Sequence, residues 1–310
     1  MSAEKRKTLA ARVRARDFFV APGVYDMISA RIADNMGFTG IYMTGYGAVA
    51  SYLGLADAGL ASYRDMVTRV GHIASGTKTP LIADADTGYG GLLNIAQTVR
   101  GYEAAGACGL HIEDQADPKK CGHTPGKQLV STQDMVMRIK VAVDAKQDSD
   151  FLIIARTDSR ANEGLDSACR RAEAYAEAGA DVLFVEAPIS LEEMEIIAKR
   201  FDQPLMINIS DVGLTPVVPA ETLKELGYAF AIYPGTAFAA AAHSIKSVFN
   251  TLKTKGSTAD IDVPLMPGLE MHTLMGFPEV WARRRVAIVS SAICPSLNAL
   301  SGRSACSQGR

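Results

Sequence analysis

Residues 81–113 read LIADADTGYGGLLNIAQTVRGYEAAGACGLHIE, and this stretch decides the fold. Its first run, Leu81–Asp86, is apolar until it ends on two acids, Asp84 and Asp86, followed by glycines. A segment of helical spacing comes next, Leu92–Gly106, closing on Ala105-Gly106 as many helices close. A second apolar run, Gly109–Glu113, again finishes on an acid. A strand, a helix and a strand in this order pair in parallel through a helical crossover.

The unit recurs in both directions. Further strand-like runs lie at Gly23–Asp26, Gly40–Thr44, Leu152–Asp158, Val182–Glu186, Leu205–Ile209 and Phe230–Pro234. Helical patterns lie at Ser29–Gly37, Ser131–Gln147, Gly164–Gly179, Leu191–Arg200 and Ala220–Gly227. The strands are apolar almost throughout, as expected when helices cover one face and a packed interior fills the other. Eight such runs within about 240 residues predict a (β/α)8 TIM-type barrel over an open doubly wound sheet. The barrel is expected to span 1–255, with a helical extension at 256–300 that includes Pro278–Ser291 and Arg283-Arg284-Arg285, and a frayed polar tail at 301–310.

Composition narrows the class. The chain has 310 residues, 48% of them hydrophobic, and a formal net charge of −2. No basic stripe argues for nucleic acid, and no apolar run approaches the ~20 residues of a membrane span. Five cysteines, Cys108, Cys121, Cys169, Cys294 and Cys306, form neither a disulfide framework nor a paired metal motif. The charged N-terminus Met1–Lys7 leads into a basic stretch without an apolar signal core. A reduced, cytoplasmic enzyme is the expectation.

Polar residues collect at the C-terminal ends of the strands: Asp26, Thr44, Asp84, Asp86, Glu113, Arg156, Asp158, Glu186, Asn208 and Ser210. In a barrel these ends converge on the face where active sites are built. Asp26, Asp158 and Asp211 also suit helix caps, but Glu113, Arg156 and Glu186 together do not. Asp84 and Asp86 stand two apart, hence on one side of a strand, and like charges so close call for a cation. With Glu113 they make an all-oxygen set that suits Mg2+, or Mn2+, keeping several waters. Arg156 carries the planar fork that grips carboxylates, Asn208 and Ser210 add neutral donors, and Gly45 and Gly47 around Tyr46 let backbone N–H groups approach a substrate oxygen. Lys119-Lys120-Cys121-Gly122-His123 reads as a mobile loop whose cations pull a thiol's pKa toward neutrality. Together these describe a site for a small carboxylate substrate on a divalent metal.

Five motifs, Ala83–Gly88 (ADADTG), Ile112–Gln115 (IEDQ), Lys119–His123 (KKCGH), Ala155–Asp158 (ARTD) and Asn208 with Thr215-Pro216, resemble the isocitrate lyase / phosphoenolpyruvate mutase superfamily. The resemblance runs from Pro22 to about Ile293 and is strongest for the branch acting on 2-methylisocitrate, dimethylmalate and oxaloacetate. It implies a barrel whose last helix swaps between paired subunits of a homotetramer. It further implies that Asp86 holds Mg2+, with Asp84 and Glu113 acting through its waters. Thr44, Gly45 and Tyr46, with Asp57 nearby, would bind the 2-hydroxy or 2-oxo acid. Arg156, His123, Asn208 and Ser210 would hold carboxylates, and Glu186 would lie in the pocket wall. Tyr42 would take the hydroxyl proton. Cys121, beside Gly122, would protonate the leaving carbanion once the loop Gln115–Lys127 closes.

The implied reaction is Mg2+-dependent carbon–carbon cleavage of a 2-hydroxy di- or tricarboxylate. Oxaloacetate hydrolysis or decarboxylation, P–C bond chemistry, and a non-catalytic metabolite-binding barrel are the alternatives. Many relatives carry Thr-Glu-x-Gly-Lys-Thr-Pro where this chain has Ser210–Pro216 with Asp211 and Leu214, and often Pro where it has Ala56. Those departures bear on the substrate more than on the reaction class.

Overall fold

The structure is a computed structural model that describes residues 2–122, 124, 126–211 and 213–283. Helix α1 (Ser2–Arg14) precedes β1 (Phe19–Val24) and α2 (Met27–Met36). Then follow β2 (Ile41–Met43) with α3 (Gly45–Leu53) and α4 (Tyr63–Gly76), β3 (Leu81–Asp84) with α5 (Leu92–Ala105), and β4 (Gly109–Glu113) with α6 (Thr132–Ala145). The second half has β5 (Leu152–Thr157) with α7 (Arg160–Glu163) and α8 (Leu165–Glu177), and β6 (Val182–Val185) with α9 (Leu191–Arg200). It closes with β7 (Met206–Asn208) and α10 (Ala220–Leu226), then β8 (Phe230–Tyr233) and α11 (Thr236–Lys255). All ladder pairs are parallel, β1 lies between β2 and β8, and Leu183 bridges Leu205 to join β6 to β7. The eight strands therefore form the expected barrel.

Two apolar layers hold it. Tyr42, Ile82, Leu152, Ile154, Phe184, Met206 and Phe230 fill the interior. Val24, Met43, Ala83, Leu110, Ile153 and Leu183 face the surrounding helices. Leu9, Ala10 and Val13 of α1 join the interior cluster, so this helix covers the mouth formed by the strand beginnings. The sequence reading treats that segment as a charged terminus, because only these three positions of its thirteen are buried.

Other differences have local causes. β1 begins at Phe19 rather than Gly23, because Pro22 and Gly23 look like a turn yet lie within the strand beside β8. Gly23 is needed there, since a Cβ would meet the Pro234 backbone at 2.6 Å. Helices α3, α4 and α11 are absent from the reading; α4 does carry a signature, a reciprocal capping box between Ser62 and Asp65. Asp26 caps α2 as anticipated. Asp158 caps nothing, since Ser159 stands at the start of α7 and Asp158 serves the site below.

Residues from Ile261 onward make a second unit. It contains α12 (Gly268–Leu274) and a helical stretch at 277–283. The His272 ring lies 4.7 Å from Phe277 and 6.0 Å from Trp281 between centroids. Of the expected helix Pro278–Ser291 only the first part lies within the described residues, and the tail at 301–310 lies outside them.

Candidate active site

A cavity of about 270 Å³ opens at the C-terminal ends of the strands. It is lined by Tyr42, Thr44, Tyr46, Asp57, Asp84, Glu113, Cys121, Gly122, Arg156, Asn208 and Ser210 among others. The Gly45 N–H donates to Asp84 Oδ2 at 3.1 Å, while the Gly47 N–H goes to Thr44 Oγ1. The amides expected to meet a substrate oxygen are thus spent here on the site's own acid and on the α3 cap. A Cβ at Gly45 would collide with that carboxylate.

The acids are organised around two buried cations. Lys119 Nζ hydrogen-bonds Asp57 Oδ1 and stands 2.6 Å from Asp86 Oδ1, although its side chain is only 3% exposed. Burial alone would lower this lysine's pKa, but Asp86, Glu113, Asp57 and Asp84 hold it well above the usual value. Burial drives the Asp86 carboxyl up to about 6, against the pull of Lys119 and with Asp84 and Asp57 adding to it. Asp86 also adopts φ 48°, a left-handed conformation uncommon outside glycine. It is held there by Asp86 N donating to Asp84 Oδ1 at 2.9 Å and by Glu113 N donating to Asp86 O at 3.0 Å. Such strain persists only where neighbours over-determine it, and it concentrates at functional sites.

Arg156 is the second cation. Asp158 takes Nε and Nη2 in a fork at 2.9 and 3.0 Å, Glu113 Oε2 lies 3.2 Å from Nη1, and Glu186 Oε2 lies 3.6 Å from Nε. Asn208 Nδ2 donates to Glu186 Oε1 at 3.1 Å. Burial lifts the Glu113 carboxyl well above its ordinary range despite Arg156, and Glu113 Oε1 has no partner among the described residues. Guanidinium carries five N–H donors, so this fork of acids leaves some for a ligand carboxylate.

Behind the acids, the expected Tyr42 is joined by a residue that sequence reasoning missed, His111. Tyr42 Oη is 2.6 Å from His111 Nε2 and 3.4 Å from Asp84 Oδ2, and His111 Nε2 is 3.2 Å from Asp84 Oδ1. Burial and Asp84 push the Tyr42 phenol well above its usual pKa, so it rests protonated. For Asp84, burial is outweighed by His111, Lys119 and Arg156, which hold the carboxyl far below the usual range.

The loop Gln115–Lys127 lies across this set. Its stem is a short ribbon in which Ala116 N donates to Gln128 O at 2.8 Å and Gln115 bridges Leu129. The Gln115 amide clamps the Lys120 backbone at 2.8 and 2.9 Å. Lys127 Nζ donates to Gly122 O and, at 2.9 Å, to Asp158 Oδ1. Cys121, half-buried, lines the cavity. Lys119 is committed to the acids and Lys120 Nζ donates to Gly126 O at 2.9 Å, so the flanking lysines have further work than tuning the thiol. His123 lies outside the described residues.

Gly122 passes so close to the site that a Cβ would land on Arg156 Nη2 and within 3.0–3.1 Å of Glu186. Gly122→Ala is therefore expected to lower turnover by about 10²-fold through a lid displaced by about 1 Å, with an unchanged melting temperature. Full activity in that variant would show that the loop need not approach Arg156.

A sequence model described as phosphoenolpyruvate phosphomutase matches residues 9–253. The chain belongs to the phosphoenolpyruvate phosphomutase family. It is an enzyme, and the relatives compared with it include lyases. It is 41% identical over 261 residues to 2,3-dimethylmalate lyase of Eubacterium barkeri, covering 84% of this chain and 90% of that one. It is 41% identical over 265 residues to 2-methylisocitrate lyase of Aeropyrum pernix, covering 86% and 85%. Among solved structures, oxaloacetate acetylhydrolase bound to 3,3-difluorooxalacetate superposes with a TM-score of 0.87 at 34% identity, over 92% of this chain and 97% of that one. Phosphonopyruvate hydrolase in complex with oxalate and Mg++ gives 0.81 at 30% identity, over 90% and 97%.

A divalent cation fits the residues of this phosphomutase-family site. No three His, Cys, Asp or Glu side chains among the described residues are gathered tightly enough to cage an ion alone. A small hard cation that keeps its waters needs only one or two carboxylates. The Lys119 ammonium supplies positive charge between Asp57 and Asp86, and the unpartnered Glu113 Oε1 is a buried acceptor awaiting a donor.

Proposed function

We propose that the chain is a Mg2+-dependent carbon–carbon lyase. Its substrate is a small 2-hydroxy di- or tricarboxylate of the 2,3-dimethylmalate or 2-methylisocitrate kind, cleaved to an oxo acid and a carboxylate. The observation that carries the reading is that a lid thiol, Cys121, lines the same cavity as Asp84, Glu113 and Arg156. A P–C mutase has no use for a carbon acid there, whereas retro-aldol cleavage needs one.

Asp86 would hold Mg2+, or Mn2+, with Asp84 and Glu113 acting through its waters. When bound, the cation neutralises charge on the carboxylate and hydroxyl oxygens of the 2-hydroxy acid and of the oxo acid that forms. Thr44, Gly45 and Tyr46, with Asp57, border the 2-hydroxy acid. Arg156, Asn208, Ser210 and His123 orient its carboxylates, with Glu186 holding Asn208 in place. Tyr42 accepts the hydroxyl proton as its own phenolic proton passes to His111 Nε2. The C2–C3 bond then breaks, its electron pair staying on C3 beside the carboxylate. The Cys121 thiol delivers its proton to that carbon and is left as thiolate, while the loop Gln115–Lys127, with Gly122 at Arg156, excludes water.

The assembly is read as a homotetramer of helix-swapped dimers, supported by the apolar exposure of Leu265, Leu269, Phe277 and Trp281 in the second unit. Among the described residues no helix is long and apolar enough to cross a membrane. A cytoplasmic setting is supported by the five cysteines having no paired spacing. The test is a screen over 2,3-dimethylmalate, 2-methylisocitrate, isocitrate, oxaloacetate and phosphonopyruvate with and without Mg2+. Release of an oxo acid that stops on chelation is expected. Inorganic phosphate from phosphonopyruvate, or no turnover across the panel, overturns the reading.

A further inference from the structure

The cavity lining combines charged groups, neutral polar groups such as Thr44, Asn208 and Ser210, and an apolar wall. Asp57, Asp84, Glu113, Lys119 and Arg156 are charged, whereas Ile232 on β8, Pro234 after it, and Phe238 and Ala239 in the first turn of α11 are apolar. Phe238 is fixed edge-on by two rings, Tyr25 at 5.3 Å and 78° and Tyr46 at 5.5 Å and 60°. The loop after β7 is tied to the same helical turn, with Thr236 Oγ1 donating to Asp211 Oδ2. These contacts make the apolar wall a built surface.

The cations lining the cavity among the described residues are already committed. Lys119 serves Asp57 and Asp86, Lys120 donates to Gly126 O, and Arg156 is forked by Asp158 and approached by Glu113. What Arg156 retains suffices for a carboxylate that every substrate in the proposed reaction carries. The two substrate types share their C2 half and differ at C3, where one bears a methyl group and the other a carboxymethyl group. We infer that Ile232, Pro234 and Phe238 receive the C3 substituent, and that this chain selects a 2-hydroxy diacid alkylated at C3 over one with a third carboxylate there. A carboxylate against this wall loses its hydration without gaining a donor, while an alkyl group gains by leaving water. The inference rests on the proposed lyase reading.

Two measurements separate the inference from that reading. The first is kcat/KM with Mg2+ for 2,3-dimethylmalate and for 2-methylisocitrate. The second is calorimetric binding of each compound to the Cys121→Ser protein with Mg2+. A preference for the alkylated diacid of about tenfold or more is expected in both. Phe238→Arg should move the ratio toward the tricarboxylate by about tenfold, and Phe238→Leu should leave it in place, with melting curves checking that both fold. Equal or reversed binding overturns the selectivity even if cleavage occurs. A binding preference without any turnover leaves the selectivity standing and removes the lyase reading.

Discussion

Cys121→Ser is expected to cut lyase turnover by about 10²–10⁴-fold while Mg2+-dependent ligand binding stays within about twofold of the parent. The serine hydroxyl fills nearly the same space but is a far weaker acid than a thiol, so the carbanion at C3 loses its proton source. The loop itself should not change. Its carbonyl accepts from Thr124 N at 2.9 Å and from Thr124 Oγ1 at 2.7 Å, bonds the change leaves in place. The Gln115 clamp on Lys120 and the Lys127 tether on Gly122 are likewise untouched. Single-turnover kinetics, paired with calorimetry of oxalate binding, checks the split. Near-normal turnover would remove Cys121 from the proton step.

Arg156→Met is expected to be the most destabilising change in the site, at about 3–5 kcal/mol, because it strips the partner from several buried acids at once. Glu113, Asp158 and Glu186 are each at most 1% exposed, and Arg156 is the cation placed among all three. Lys127 would still face Asp158 and Lys119 would still act on Glu113, but neither stands where the guanidinium does. The thermal midpoint should fall by on the order of 10 °C. Adding Glu113→Gln should return part of the loss, since one buried carboxyl left without its guanidinium is then gone. A midpoint unchanged by Arg156→Met would mean that the acids are held by other groups.

The strands were legible because their chemistry is local. Gly109–Glu113 matches β4 residue for residue, being fully buried and bounded by Cys108 before it and the loop after it. Pro22 and Gly23 misplaced the start of β1 because their turn chemistry is overridden by pairing with β8. The alanine-rich α11 has no buried residue, and its apolar positions Ile245, Phe249 and Leu252, though spaced as a helix requires, stand exposed. In the site, Asp84, Asp86, Glu113, Arg156 and Glu186 were visible as charges ending apolar strands. Their partners were not visible, because folding brings them from afar: Lys119 meets Asp57 across 62 positions, and Lys127 meets Asp158 across 31. Lys119, read only as a loop lysine beside the thiol, proves to stand between Asp57 and Asp86. His111 could have been noticed as a wholly buried imidazole on an apolar strand, two residues before Glu113.

The central claim is that this barrel breaks a C2–C3 bond and protonates the leaving carbon from the lid. Incubation with Mg2+ and 2,3-dimethylmalate in D2O, with the products resolved by NMR, tests it most directly. Pyruvate should appear together with propionate carrying a single deuterium at C2, at a rate that collapses in Cys121→Ser. Propionate without solvent deuterium, or phosphate release from phosphonopyruvate with no oxo acid from dimethylmalate, would contradict it.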